Sequence, residues 1–376
     1  MKSTLSPARR GALSAALMLG VTLAAPVLAD DNRYEQQNLV SDGVISAAHV
    51  DANLVNAWGV AFNPNAFVWV ADNGTGVATL YDGQGNAQPL VVTIPSASGA
   101  QGEHGKPTGI IFNGSNDFAV GNGATTGPSR FIFATEDGLI AGWAPNVDPT
   151  HALQAAATVG AIYKGLALAA NGNGNFLYAT DFPNSKIDVF DKAFSPVATP
   201  GGFVDPAIPK GFAPFGIQNI NGNLYVTYAK QDAAGEDDVA GPGLGYVNVF
   251  DADGHLLRHV ARRGALNAPW GLALAPADFG KFSNRLLVGN FGDGTIAAYD
   301  IRTGALVGRL RSAAGGLLKI DGLWALQFGN GILQQPTNTL FFSAGPDDEN
   351  HGLYGTIRAV GDDEHDDRHD DEAGTR

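Results

Sequence analysis

The chain has 376 residues, of which 44% are apolar, 16% are charged and 50 are glycine. Few charges and much glycine suit many short strands joined by tight turns, and they exclude a fold of long helices, whose interiors glycine weakens. A formal net charge of −14 argues against nucleic acid and anionic membrane surfaces as partners, and the absence of cysteine excludes disulfides, thiolate metal sites and covalently attached haem.

Residues 1–29 read as a secretory signal peptide. Lys2, Arg9 and Arg10 form a basic start, an apolar run extends from Gly11 towards Ala25, and Val27-Leu28-Ala29 offers a cleavage site. The apolar run is shorter than the roughly 20 residues a bilayer span needs. No later segment is apolar enough to span either. The mature chain is therefore expected to begin near Asp30, to be periplasmic or secreted, and to carry no membrane span.

From there one phrase recurs along the chain. It reads Trp58-Gly59-Val60-Ala61-Phe62, Thr108-Gly109-Ile110-Ile111-Phe112, Lys164-Gly165-Leu166-Ala167-Leu168, Phe215-Gly216-Ile217, Trp270-Gly271-Leu272-Ala273-Leu274 and Trp324-Ala325-Leu326-Gln327-Phe328, at intervals of 50, 56, 51, 55 and 54 residues. Each copy is followed by a second apolar run, such as Val68–Ala71 or Leu286–Gly289, and then by turn residues such as Asn73-Gly74 or Asp293-Gly294. A third run ends in an aromatic residue in most copies: Tyr81, Trp143, Phe190, Phe250 and Tyr299, with Ile357 in the sixth. Several copies show a fourth run. Four short strands per unit of about 50 residues is the signature of a propeller blade.

Residues 30–360 are thus expected to form an all-β, six-bladed propeller of four-stranded blades. Glycine opening five of the six inner strands lets backbones approach near the axis, and the third-strand aromatic is expected to wedge between blades. The sixth copy runs out of chain after its third run. Asn38-Leu39-Val40-Ser41-Asp42 has no other partner and is expected to supply the last blade's outer strand, closing the ring. Residues 361–376 hold eight acids and two arginines and are expected to form a disordered acidic tail. His365 and His369 in it are candidate weak ligands for nickel, copper or zinc.

With the repeats aligned, the chain from about Asn38 to Val360 resembles a family of exported bacterial six-bladed propellers related to NHL-repeat proteins, some of which end in a PEP-CTERM sorting signal. The resemblance rests on Asn38–Asp42, Asn56-Ala57-Trp58-Gly59-Val60, Phe131–Gly138, Asn267-Ala268-Pro269-Trp270-Gly271 and Asp321–Leu326. It implies a fold and a compartment, and no reaction. The resemblance does not extend to the sorting tail, so membrane-linked sorting is not expected.

In a propeller the loops entering the inner strands and the hairpins joining strands two and three share one face, over the axis. Candidate ligand-binding residues on that face are Trp58, His104, Lys106, Lys164, Asp181, Trp270, Asn290, Asp321 and Trp324. The three tryptophans offer stacking surfaces to a sugar or aromatic ligand; the alternative is ordinary packing in the channel. His104, between Glu103 and Lys106, suits a general base or metal ligand, or is a solvent-facing loop residue. Asp72, Glu103, Asp181 and Asp293 are candidate ligands for calcium or another divalent cation, although Asp and Asn are also ordinary turn residues. The fourth copy carries an insertion, Lys230 to Gly245, with Asp232, Glu236, Asp237 and Asp238, read by default as a mobile surface loop, with a lid or a cation-binding loop as alternatives.

No nucleophile elbow, phosphate loop or paired zinc histidines occurs. The leading reading is an exported scaffold that binds a small molecule or protein on the loop face. The alternative is a calcium- or zinc-dependent hydrolase or lyase of the gluconolactonase or NHL-lyase type, a warrant of fold alone.

Overall fold

Each of the six phrases becomes an inner strand: Ala57–Phe62, Pro107–Phe112, Tyr163–Ala170, Phe212–Ile220, Pro269–Leu274 and Leu323–Phe328. In every blade the pairing of this strand with the second strand slips beside the first two positions of the phrase, so all six carry a bulge there. The repeated glycine falls in the bulge, where neighbouring inner strands come closest. A Cβ on Gly59 would overlap the Thr108 carbonyl oxygen of the next blade, and one on Gly216 would overlap that of Trp270. Buried hydroxyls bridge the same gap: Thr108 Oγ1 donates to the Tyr163 carbonyl at 2.7 Å and Thr180 Oγ1 to that of Phe215 at 2.7 Å.

The computed structural model describes Met1, residues 32–100 and residues 102–360. The signal peptide expected over 1–29 (Met1 apart) and the tail expected over 361–376, with His365 and His369, lie outside the described residues. Six sheets, antiparallel apart from one short outer pair, form a six-bladed β-propeller. Blades one to five follow chain order from inner to outer strand, ending in Val92–Thr93, Leu153–Ala157, Pro196–Val197, Leu256–Arg262 and Leu306–Arg309. The second blade also carries a small hairpin, Ala119–Gly121 with Thr126–Pro128. No helix among the described residues is long and apolar enough to cross a membrane.

The ring closes as the orphan segment suggested. Tyr34–Ser41 pairs antiparallel with Leu353–Ala359 as the fourth strand of the sixth blade, and His49–Val50 adds a short parallel fifth. Tyr34 is fully buried between Phe279 and Phe282 of the fifth blade, and its hydroxyl donates to the Phe279 carbonyl at 3.1 Å. His351 Nδ1 meets Asp42 Oδ2 at 2.7 Å.

Packing between blades follows the wedge pattern. Six hydrophobic clusters fill the six gaps, and each contains the residue singled out near the end of one third strand: Tyr81, Trp143, Phe190, Phe250, Tyr299 or Ile357. A seventh cluster sits on the axis.

Candidate functional site

The axial cluster is built by the first residue of the repeated phrase. Trp58 and Trp324 stack with ring centroids 3.7 Å apart, Phe291 stacks on the far side of Trp324 at 4.0 Å, and Trp270 meets both tryptophans edge-on. Phe215 and Phe182 complete it. Trp58 and Trp324 are 1% exposed, so this aromatic plug closes the axis at the loop face. Trp270 Nε1 donates to the Lys164 carbonyl at 2.8 Å and Trp324 Nε1 to Asn56 Oδ1 at 3.0 Å. The indole N–H of Trp58 is buried without a partner among the described residues.

Lys164 occupies the same phrase position in the third blade. Its Nζ lies 5.3 Å from the centre of the Trp58 ring, a cation–π contact. The same atom donates to Glu136 Oε1 at 2.7 Å and to Asp237 Oδ1 at 2.8 Å. Asn73 Nδ2 donates to the other oxygen of Glu136 at 3.0 Å. Asn56 Nδ2 reaches Asn73 Oδ1 at 3.2 Å and Glu349 Oε2 at 2.6 Å. One hydrogen-bonded chain therefore runs from the sixth blade through the first, second and third to the insertion of the fourth.

The backbone is bent to deliver these groups. Asn56 has φ of +46°, and the three consecutive residues Asp347, Asp348 and Glu349 have φ of +56°, +50° and +65°. Left-handed conformations cost about 1–3 kcal/mol each in non-glycine residues and cluster at functional sites. The insertion, read as a mobile loop or lid, is tied to the blades: Gln231 Nε2 donates to the Phe182 carbonyl at 2.8 Å and Val239 N to the Lys230 carbonyl at 2.8 Å. It carries Asp237 to the axis.

Electrostatics follow from this crowding. Burial depresses the Lys164 pKa, but the carboxylates of Glu136 and Asp237 more than reverse the effect and hold it above the ordinary lysine value. Burial pushes the Asp238 carboxyl up to about 7; Lys164 opposes the rise, while Glu349 and Asp237 reinforce it. Burial also raises Glu349, against its hydrogen bond from Asn56. Four carboxylates thus surround one ammonium on an aromatic floor.

Of the residues singled out from the sequence, Trp58, Lys164, Trp270 and Trp324 come together here with Asp237 and Asp238 of the insertion. The others are spread around the rim or built into turns. His104 is exposed, with Nδ1 3.2 Å from the Thr75 carbonyl, and Lys106 is exposed beside it. Asp181 is buried and accepts from Asn184 Nδ2 at 3.0 and 2.9 Å, with Lys186 at 3.4 Å. Asn290 accepts from the Asn267 amide and donates to the Ala265 carbonyl. Asp321 accepts from the Asp347 amide.

The four carboxylates considered for a cation are each in a different place. Asp72 is held by Thr79, Glu103 by Ser98, Asp181 by Asn184 and Asp293 by Thr295. Asp72 is fully buried, and desolvation raises its pKa well above the usual carboxylate range. Among the described residues no three His, Asp or Glu side chains are grouped to hold one metal ion. Glu349 was not singled out from the sequence. The signal for it was present, since the acidic run Asp347-Asp348-Glu349 fills the hairpin slot that Glu136 fills in the second blade.

The fold and site define a six-bladed propeller with a stoppered axis and an acidic mouth. Similar proteins exist in Acanthamoeba polyphaga mimivirus. Uncharacterized protein R648 is 36% identical over 331 residues, covering 85% of this chain and 78% of its own. Uncharacterized protein L690 is 35% identical over 336 residues, covering 85% and 84%. The chain belongs to the family of these viral proteins. Their origin lies outside the bacterial propellers to which the sequence resemblance points. No protein-family model matches the chain. Among solved structures, a structural genomics protein of unknown function from Bacteroides thetaiotaomicron VPI-5482 shares the fold at a TM-score of 0.53 and 10% identity, over 86% of this chain and 76% of that one.

Proposed function

We propose that the protein is an exported binding propeller whose loop-face mouth holds a positively charged group, either on an amine-bearing small molecule or on a basic side chain of a partner protein. The observation that supports this reading is the setting of Lys164. The chain's own ammonium rests on the Trp58 face among Glu136, Asp237, Asp238 and Glu349, and four carboxylates against one ammonium leave the rim with surplus negative charge. A second cation at the rim gains from that surplus, whereas a phosphate is repelled.

Calorimetric titration with spermidine and with an oligo-arginine peptide at low salt tests this. Binding should strengthen as pH rises through about 7, because Asp238 ionises there. It should weaken several-fold in Asp238→Asn and Glu349→Gln. No heat with either probe at about 1 mM refutes the reading. Export is tested separately: the protein recovered from the periplasm or medium should begin at Asp30.

The hydrolase or lyase reading has one support of its own. A carboxyl near pH 7 beside a buried lysine is suited to moving a proton at neutrality. The metal-dependent form does not fit the residues present, since no three ligands are grouped among the described residues. Turnover of a lactone and ester panel, lost in Asp238→Asn, would favour this reading over simple binding; no turnover removes it.

A further inference from the structure

The plug divides the axis, and the end away from the loop face is open. There the far ends of the inner strands surround a cavity of about 260 Å³, lined among others by Phe62, Ile111, Phe112, Leu168, Gln218 and Gln327. It leads inwards to a recess of about 30 Å³ under Trp270, which Gln218 and Gln327 also line. None of the residues lining either space is Asp, Glu, Lys, Arg or His, although the chain carries 60 Asp, Glu, Lys and Arg residues (Asp+Glu 37 and Lys+Arg 23).

The repeat shows which of these residues are out of pattern. The fourth position of the phrase is Ala61, Ile111, Ala167 and Ala273 in four blades, and Gln218 and Gln327 in the other two. Packing accepts alanine or isoleucine at this position, so it does not call for an amide. The two glutamines stand in the fourth and sixth blades, with the fifth between them. Both are half-buried, and neither side-chain amide has a protein partner among the described residues. The next residue is a useful contrast. Asn219 also lines the cavity, but its amide donates to the Leu168 carbonyl at 2.7 Å and accepts from the Gly222 N–H at 2.9 Å. Asn219 is used by the fold, while Gln218 and Gln327 are free to serve a ligand.

We infer that this open end is a second binding site, for a small uncharged polyol or sugar held between the amides of Gln218 and Gln327 on an apolar wall. Each amide offers donors and an acceptor, which match hydroxyl groups. The lack of any charged side chain selects against an ionic ligand, which would lose its hydration without a compensating partner. An adjoining space of about 340 Å³ shares Gln218, Asn219 and Gln327 and is likewise lined by no charged residue, so the open end has room for at least a monosaccharide. The plug separates this site from the acidic mouth, so the inference does not depend on the function proposed for that end.

The test follows the side-chain amide resonances of the ¹⁵N-labelled full chain, assigned with Gln218→Leu and Gln327→Leu. Those variants should fold, because other blades carry apolar residues at the same position, and their melting temperatures check this. The probes are methyl β-D-glucopyranoside, myo-inositol and N-acetylglucosamine, with gluconate and glucosamine as charged counterparts. At least one neutral probe should shift both glutamine amides below about 50 mM, and each variant should weaken it by about tenfold, as for loss of one or two hydrogen bonds. The charged counterparts should bind more weakly. The inference is overturned if no neutral probe moves these resonances, if the charged probes bind as well, or if the double variant binds as the parent does.

Discussion

Replacing Lys164 with methionine tests whether the mouth is organised around its ammonium. Methionine keeps most of the length and apolar stem, so the change removes chiefly the charge. Leaving buried partners unpaired costs about 3–5 kcal/mol. Here the partners are partly wet, with the Glu136 and Asp237 side chains 21% and 72% exposed. Water can take over part of their solvation, which reduces the expected loss to about 2 kcal/mol. For a domain of about 330 residues, an unfolding entropy near 2 cal/mol/K per residue converts this to a fall of about 3 °C. The pH dependence has a definite sign. The folded pKa of Lys164 is raised, so its stabilisation is present throughout the neutral range and is lost only in strong alkali. Without the lysine, Asp238 and Glu349, both already raised, take up protons more readily and relieve the repulsion as pH falls. Scanning calorimetry at about pH 8 and about pH 5.5 should therefore show the larger loss at the higher pH. A loss below about 1 °C, or one equal at both pH values, would refute the account of Lys164 as the organising charge.

Asp238→Asn should raise stability. The folded pKa of about 7 exceeds the unfolded value, so the wild type loses stability as pH rises from about 4 to about 7, and the variant's advantage should grow over that window to about 1–2 kcal/mol and then level off. Thermal melts across pH check this, and a constant offset would contradict it. Gly216→Ala should destabilise by about 3 kcal/mol, since its Cβ meets the Trp270 carbonyl of the next blade; Ala325→Gly, at the same phrase position, should cost about 1 kcal/mol or less. Deleting residues 32–41 removes the outer strand of the sixth blade and the Tyr34 anchor. The product should aggregate through the exposed Leu353–Ala359 edge when run on a sizing column, and a monomer with a cooperative melt would contradict the closure argument.

The scaffold was legible in the sequence because its constraints are local and repeated. Gly59, Gly109, Gly165, Gly216 and Gly271 recur because a side chain there strikes the neighbouring blade, and the third-strand aromatics recur because each fills one gap. Asn38–Asp42 could be placed because a strand without a partner needs an edge. The site was half legible. Lys164 and the three tryptophans stand at a fixed phrase position, so the repeat alone brings them together. Asp237 and Glu349 do not. The reach of Asp237 depends on how a long insertion folds, which no repeat dictates, and that of Glu349 depends on three positive φ values that carry no glycine signature. His104 and Asp181 have the right residue types, but turn and strand hydrogen bonds direct them elsewhere. The hairpin Ala119–Gly121 with Thr126–Pro128 left no periodic trace because each strand has three residues.

The division of labour within the phrase follows from this. Its second position is fixed by backbone approach and its third, Val60, Ile110, Leu166, Ile217, Leu272 and Leu326, is uniformly aliphatic. The first and fourth positions are those where packing leaves a choice, and they lie towards opposite ends of the axis. At the first, three tryptophans, a phenylalanine, a threonine and a lysine close one end and give it charge. At the fourth, two glutamines among alanine and isoleucine leave the other end open and neutral. A six-fold scaffold cannot bind an asymmetric ligand specifically unless its copies differ. They differ most at these two positions, and the differences are of opposite kind: an ion-paired ammonium beneath carboxylates at one end, and unpaired neutral amides at the other. A single continuous channel for one ligand would need compatible chemistry along its length. The stacked pair Trp58–Trp324, at 1% exposure, instead separates the two ends, so the two sites proposed above would act as separate surfaces placed back to back and not as the ends of one conduit.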